Sequence, residues 1–365
     1  MKIAHVTAAL DREGAGVRAV VEAVSAAQQA AGHDVRVFGI ATRAWMANDR
    51  MLWQGAVAEV MATLGPGSLG YTPGLHARLE QFAPDVIHLH GLWHLNGLVV
   101  RSWSKSSGCR FYLSIHGMLA APAFATKAKR KKLAFFLYQR RVIESAHRLI
   151  ATSPAEESEI KAFGLKAPIS VVPNGVAVPD HEGSENGHPT VLYLGRLDPI
   201  KGIDYLLRAW ASLEQEFPGW YLRIVGSAPD NYGCMLKKQI PELGLCRVQI
   251  QGALYGADRD KAMAEAAVFV LPSRSENFAL TVAESLAVGT PVVATMASPW
   301  AGLETNGCGR WVRVGSDPLR EGLAELMSRS PRQRAQMGRR GRDWMAAKFN
   351  WQYIARGLVN IYNLS

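Results

Sequence analysis

The chain has 365 residues, 48% of them hydrophobic and 20% charged, a balance that supports two apolar cores and excludes a wholly disordered polymer. A formal net charge of +10 points to anionic partners, but no nucleic-acid motif accompanies it, so nucleic acid is not an expected partner. No run approaches the roughly 20 apolar residues that span a bilayer, and Cys109, Cys234, Cys246 and Cys308 are too widely spaced for a Cys-x-x-Cys pair, which fits a reduced, cytoplasmic setting.

Ile3–Ala9 reads as a buried first strand, since Asp11, Arg12 and Glu13 break the run too early for a secretory segment. Gly16–Ala31 carries apolar positions at helical spacing, and Val35–Ile40, Val86–His90, Phe111–His116, Leu149–Thr152 and Ile169–Pro173 read as further strands. Between them Lys127, Lys129, Arg130, Lys131, Lys132, Arg140 and Arg141 flank the apolar run Leu133–Tyr138 in a helix-forming segment. That pattern fits a basic amphipathic surface for anionic lipid at the inner face of the plasma membrane, with a solvated helix flank as the alternative. Residues 180–188 are polar and linker-like.

The pattern then restarts. Thr190–Leu194, Tyr221–Val225, Val248–Gln251, Val268–Leu271 and Pro291–Ala294 read as strands, alternating with helices at Gly202–Glu216, Met235–Leu243, Asp258–Ala266, Val282–Val288 and Leu319–Arg329. The tail from Pro331 is helical and includes the amphipathic stretch Trp351–Tyr362. The expected fold is α/β: an N-terminal Rossmann-like acceptor domain over 1–176, a linker over 177–189, a Rossmann-like donor domain over 190–345, and a C-terminal helix over 346–365 that crosses back to the first domain. Ligands of such sheets sit beyond the carboxyl ends of the strands, so the two domains are expected to face each other across a cleft.

Glu276-Asn277-Phe278-Ala279-Leu280-Thr281-Val282-Ala283-Glu284 sets two carboxylates on either side of a helix start. The amides near Leu280 and Thr281 have no partner within the helix and can hold an anion. This stretch resembles the signature of the large family-4 type of retaining GT-B glycosyltransferases, which includes bacterial exopolysaccharide and lipopolysaccharide enzymes. Gly195-Arg196-Leu197-Asp198-Pro199-Ile200-Lys201-Gly202 is similar to the family's diphosphate-gripping Arg and Lys pair. Leu222–Gly226, Val172–Val176, Ser114-Ile115-His116-Gly117 and Phe349-Asn350-Trp351 resemble its other landmarks. The chain departs from the family at Asn277 and Ala279, where glycines are common, and at Gly14-Ala15-Gly16, where two adjacent glycines are usual.

The resemblance implies transfer of a hexose from a UDP- or GDP-linked sugar to a glycan or polyprenyl-linked acceptor in surface polysaccharide synthesis, with retention and with no cofactor. Glu276 and His116 would be the catalytic pair, and Asn277 and Phe278 would line the donor-sugar loop. Arg196, Lys201, Gly16, Leu280 and Thr281 would hold the diphosphate. Glu284 would take the ribose, and Gly226, Gly252, Ala253 and Leu254 would lie at the ribose and base.

No Asp-x-Asp motif, the usual carboxylate pair by which other transferases hold a divalent ion, is read in the chain, and no metal is assigned. His88 and His90 share one strand face, but no third ligand declares itself nearby in the sequence. One alternative is an NAD(P)-dependent oxidoreductase, because Gly14-Ala15-Gly16-Val17-Arg18-Ala19 formally fits G-x-G-x-x-A. Its context is poor, since Val35–Ile40 ends without an acid for the ribose. A non-catalytic nucleotide-sugar-binding protein is the second alternative.

Overall fold

The computed structural model of the chain describes residues 1–8, 10–11, 15–179, 188–228 and 231–364. Ala9 of the expected first strand, Gly14 of the glycine loop and residues 180–187 of the expected linker lie outside the described residues. The chain divides into one unit of Met1–Gly175 with Trp351–Ser365 and a second of Val176–Asn350.

The first unit is built on a parallel sheet of β1 (Lys2–Thr7), β2 (Asp34–Ile40), β3 (Val57–Met61), β4 (Val86–His90), β5 (Arg110–Ser114), β6 (Arg148–Ala151) and β7 (Ile169–Val171), in the order β3-β2-β1-β4-β5-β6-β7. Helices cover both faces, so the central strands are apolar without alternation, and every residue of β4 is buried. β3 escaped the sequence reading because Val57-Ala58-Glu59-Val60-Met61 is a half-exposed edge strand with no continuous apolar run.

The helix Trp351–Asn363 belongs to this unit. It buries Ile354, Leu358 and Tyr362 in a cluster with Val21 and Val24 of the helix Ala15–Ala30. Each such aliphatic side chain contributes about 1.5–3 kcal/mol on burial. The basic segment forms the helix Ala128–Ala134, a π turn over Phe135–Gln139 and the helix Arg140–Ser145.

The second unit repeats the plan with β8 (His188–Leu194), β9 (Tyr221–Val225), β10 (Val248–Gln251), β11 (Ala266–Leu271), β12 (Val292–Thr295) and β13 (Gly309–Val312), ordered β10-β9-β8-β11-β12-β13. β11, Ala266-Ala267-Val268-Phe269-Val270-Leu271, is buried along its whole length. β13 was not foreseen, since Gly309-Arg310-Trp311-Val312 is short and carries an arginine. In both sheets the strand order reverses beside the first strand, at β1/β4 and at β8/β11, and such switch points are where open α/β sheets bind ligands.

Candidate active site

The β8/β11 switch point of the second unit gathers the loops that follow those two strands. Asp198 caps the short 3-10 turn Pro199–Lys201 by accepting from the Ile200 amide. Gly202 then turns with φ +65, and a Cβ there would lie 2.2 Å from the Pro272 carbonyl oxygen, so only glycine lets the two loops meet. The result is an ion pair: Lys201 Nζ donates to Glu276 Oε1 at 2.7 Å, and Ser273 Oγ donates to the same oxygen at 2.6 Å. The Glu276 amide donates to the Ala297 carbonyl, which fixes the residue's backbone. Arg196 is exposed at the end of β8, where its carbonyl accepts from the Tyr193 hydroxyl. Gly226 follows β9 where a Cβ would lie 1.8 Å from the Gly195 carbonyl oxygen, so the two loops pass backbone to backbone.

Beyond Glu276, the Asn277 Oδ1 is buried and has no hydrogen-bond partner. Such an orphan acceptor costs about 1–3 kcal/mol unless a ligand donates to it. Phe278 is buried against Trp300, whose indole donates to the Phe278 carbonyl at 2.6 Å. Ala279 is left-handed at φ 63 and opens the helix Leu280–Ala287, so the amides of Leu280 and Thr281 stand at the helix start. Glu284 lies one turn further in and pairs with Arg259 at 2.9 Å, a partner that the sequence reading missed. Burial raises the carboxyl above its ordinary range, against the lowering effect of Arg259. Gly252 is exposed, and Ala253 and Leu254 are half-buried, directly after β10.

The reading that the chain has no Asp-x-Asp motif is corrected, because Asp258-Arg259-Asp260 has that spacing. It lies inside the helix Gly256–Glu265, where residues two apart face different directions, and Arg259 occupies Asp260 at 2.8 Å. It therefore does not form a convergent carboxylate pair.

In the first unit, Gly16 is exposed in the first turn of the helix Ala15–Ala30. His116 is not a strand residue as expected; β5 ends at Ser114, and His116 follows at φ 55 with Gly117 at φ 71. The buried Glu156 carboxylate holds this strained corner, accepting from the Gly117 amide at 2.5 Å and from the Thr152 amide at 2.6 Å. Burial lowers the His116 pKa, and Glu156 opposes the effect.

The expectation that His88 and His90 lack a third neighbour is corrected, because the parallel register pairs His5 with His88 and brings a third buried imidazole to the same face. In the basic segment Lys127, Lys129, Arg130, Lys132, Arg140 and Arg141 are exposed. Lys131 instead turns inward to donate to the Ala123 carbonyl at 2.5 Å, and Arg140 pairs with Glu144. Leu133, Phe136 and Leu137 are exposed beside them, Phe136 at 82%. No helix among the described residues is long and apolar enough to cross a membrane.

Comparison with known proteins follows the same two halves. The family model for glycosyl transferases group 1 matches residues 178–344, and that for a glycosyl transferase 4-like domain matches residues 15–175. The GDP-mannose:cellobiosyl-diphosphopolyprenol alpha-mannosyltransferase of Xanthomonas campestris is 26% identical over 76% of this chain and 74% of its own. The phosphatidyl-myo-inositol mannosyltransferase of Mycobacterium leprae is 25% identical over 95% of this chain and 92% of its own. Among solved structures, Anabaena HepE in complex with UDP and glucose superposes with a TM-score of 0.77 at 22% identity, covering 99% of each chain. These matches span both units and set aside the oxidoreductase and non-catalytic alternatives.

Proposed function

This chain belongs to the GT-B glycosyltransferases of the group 1, family-4 type, and from that premise we propose that it transfers a hexose from a UDP- or GDP-sugar to a glycan or polyprenyl-linked acceptor, with retention and without a metal ion. The observation that carries the reading is the Lys201–Glu276 pair at the β8/β11 switch point, beside an orphan acceptor on Asn277 and a helix start.

Departure of a nucleoside diphosphate builds negative charge. Arg196 and Lys201 meet it with cations, and the Leu280 and Thr281 amides with dipoles. Each close cation–phosphate contact is worth about 4 kcal/mol at an effective dielectric near 20, before desolvation. When the phosphate takes over Lys201, Glu276 is released to accept from sugar hydroxyls. Asn277 and His116 complete the sugar contacts, Gly16 contributes a backbone amide for the diphosphate, and Glu284, held by Arg259, takes the ribose. The backbone at Gly226, Gly252, Ala253 and Leu254 frames the base.

The names of the relatives support GDP-mannose and lipid-linked acceptors, whereas the HepE complex supports UDP. A role in surface polysaccharide synthesis and a peripheral position on the inner face of the plasma membrane follow from the same reading. The exposed Phe136, Leu133 and Leu137 among basic side chains supply the contact with anionic lipid.

Turnover followed by NMR, with and without EDTA, tests the mechanism. The proposal expects a product of unchanged anomeric configuration at an unchanged rate. An inverted product contradicts the stereochemical half, and a loss of rate that magnesium or manganese restores contradicts the other.

A further inference from the structure

Three imidazoles of the first unit lie in a hydrogen-bonded line that ends on the Gln28 amide. Gln28 Oε1 is 2.7 Å from His5 Nε2, His5 Nδ1 is 2.9 Å from His90 Nε2, and His90 Nδ1 is 3.0 Å from His116 Nε2. Gln28, His5 and His90 are buried, with at most 4% exposure, while His116 at the far end is half-exposed. His88 flanks the line, held by the Tyr362 hydroxyl at 2.6 Å and the Ser114 hydroxyl at 2.8 Å.

With the Gln28 amide oriented so that Oε1 faces His5 and the buried Nε2 is left without a hydrogen-bond partner, Oε1 only accepts and requires a proton on His5 Nε2. A neutral imidazole carries one proton, which leaves His5 Nδ1 to accept from His90 Nε2–H, and His90 Nδ1 to accept from His116 Nε2–H. The same rule leaves the Nδ1 of His116 with a lone pair. Burial keeps the line neutral, since His5 is lowered to about 4 and His90 well below its ordinary value. The histidine's free nitrogen is thus set by the partner of the other one.

A metal does not suit these rings. His88 and His90 stack at 4.1 Å with 26° between planes, His5 and His90 at 5.2 Å with 26°, and both nitrogens of His5 and of His90 are already engaged. A tetrahedral ion instead needs lone pairs converging at about 2.0 Å.

We propose that Gln28, His5 and His90 are positioning residues that lock His116 in the Nε2–H tautomer, so that its Nδ1 accepts a hydrogen bond from a hydroxyl of the donor sugar and cannot donate to the diphosphate. This rests on the reading that His116 works on the donor. It narrows that reading, because the opposite tautomer would offer an N–H to phosphate oxygen.

The test combines two readouts on full-length wild type, His90→Phe, His90→Asn and Gln28→Leu, each checked for folding by circular dichroism. Long-range 1H–15N spectra of histidine-labelled protein near pH 7.5 report the tautomer of His116 without any activity. Wild type and His90→Asn, whose Oδ1 can accept in place of the lost Nδ1, should both show Nε2–H; His90→Phe and Gln28→Leu should show a mixture.

In donor-saturation kinetics, His90→Phe should lower kcat about tenfold, the lower end of the range for removing a histidine's outer hydrogen-bond partner. Affinity for free UDP or GDP should stay within about twofold, and His90→Asn should restore most of the rate. An Nδ1–H tautomer of wild-type His116, stoichiometric zinc in the purified protein, or equal damage from the Asn and Phe variants overturns the proposal. If the tautomers follow the prediction while kcat is unmoved, the lock stands and the role of His116 on the donor falls.

Discussion

Around Lys201 and Glu276 the second unit holds opposite charges at loop ends, the side chains 20% and 9% exposed, whereas around His5 and His90 the first unit holds neutral imidazoles in a closed interior. Both lie beside the switch point of a parallel sheet, and the difference is one of chemistry. A charged pair at a rim can exchange its internal partner for a phosphate or a hydroxyl, because water and ligand both reach it. A buried line of imidazoles has nothing to exchange, and its only variable is the direction of its hydrogen bonds. One region is built to trade partners and the other to stay fixed.

Acid is expected to break that contrast with the largest effect. His5, His88 and His90 have folded pKa values below the ordinary 6.5 because burial disfavours their charged forms. Their contribution to stability is therefore complete above pH 6.5 and is lost as pH falls from 6.5 toward the folded values, about 4 for His5. Between pH 7 and pH 5 the loss is about 2 kcal/mol for His5, with losses of the same sign at His88 and His90. Denaturant unfolding at both pH values checks this, and His5→Gln should lose about one histidine's share less. Equal midpoints at pH 7 and 5 would show that the imidazoles already titrate in the fold.

The two carboxylates of the second unit should fail differently. Glu276→Gln is expected to leave nucleotide affinity nearly intact and to cut kcat by roughly 10²-fold or more, the scale of one well-placed electrostatic contact. Glu284→Ala should raise the donor KM roughly tenfold with a smaller fall in kcat, because the ribose does not change in the reaction. Calorimetry with free nucleotide beside donor-saturation kinetics separates the two, and reversed results reverse the assignment.

Smaller effects sharpen the picture. Ala279 carries a Cβ at φ 63, so Ala279→Gly should gain up to about 1 kcal/mol of stability in thermal unfolding; a loss would mean that the side chain does more than turn the chain. Lys132→Ala should weaken adsorption to anionic vesicles by about 1 kcal/mol, with a strong dependence on salt. Equal binding to neutral vesicles, or none at low salt, removes the membrane surface from the account.

What could be read from the sequence followed the same division. The second unit's loop is contiguous from Glu276 to Glu284, so its carboxylates, helix start and aromatic anchor appear as one motif. Lys201 lies 75 positions from Glu276, and the resemblance alone linked them. Arg259 was not read as the partner of Glu284, because a helix pairs it across 25 positions with no local pattern. The histidine line was illegible for the same reason. His5 and His90 stand 85 positions apart and meet only through the β1–β4 register. Of the fold, the buried strands declared themselves by continuous apolar runs, while the edge strands β3 and β13 carry Glu59 and Arg310 and did not.

The central claim, that the second unit binds the nucleotide of a sugar donor through the loops at β8/β11, is tested most directly by thermal unfolding of wild type and Lys201→Ala with UDP, GDP, ADP and NAD. A ligand stabilises by RT ln(1 + [L]/Kd), about 2.7 kcal/mol at a hundredfold excess over Kd. UDP or GDP is expected to raise the Tm of the wild type, and most of the shift should disappear in Lys201→Ala. Stabilisation by NAD and by none of the others, or an undiminished UDP or GDP shift in the variant, would contradict it.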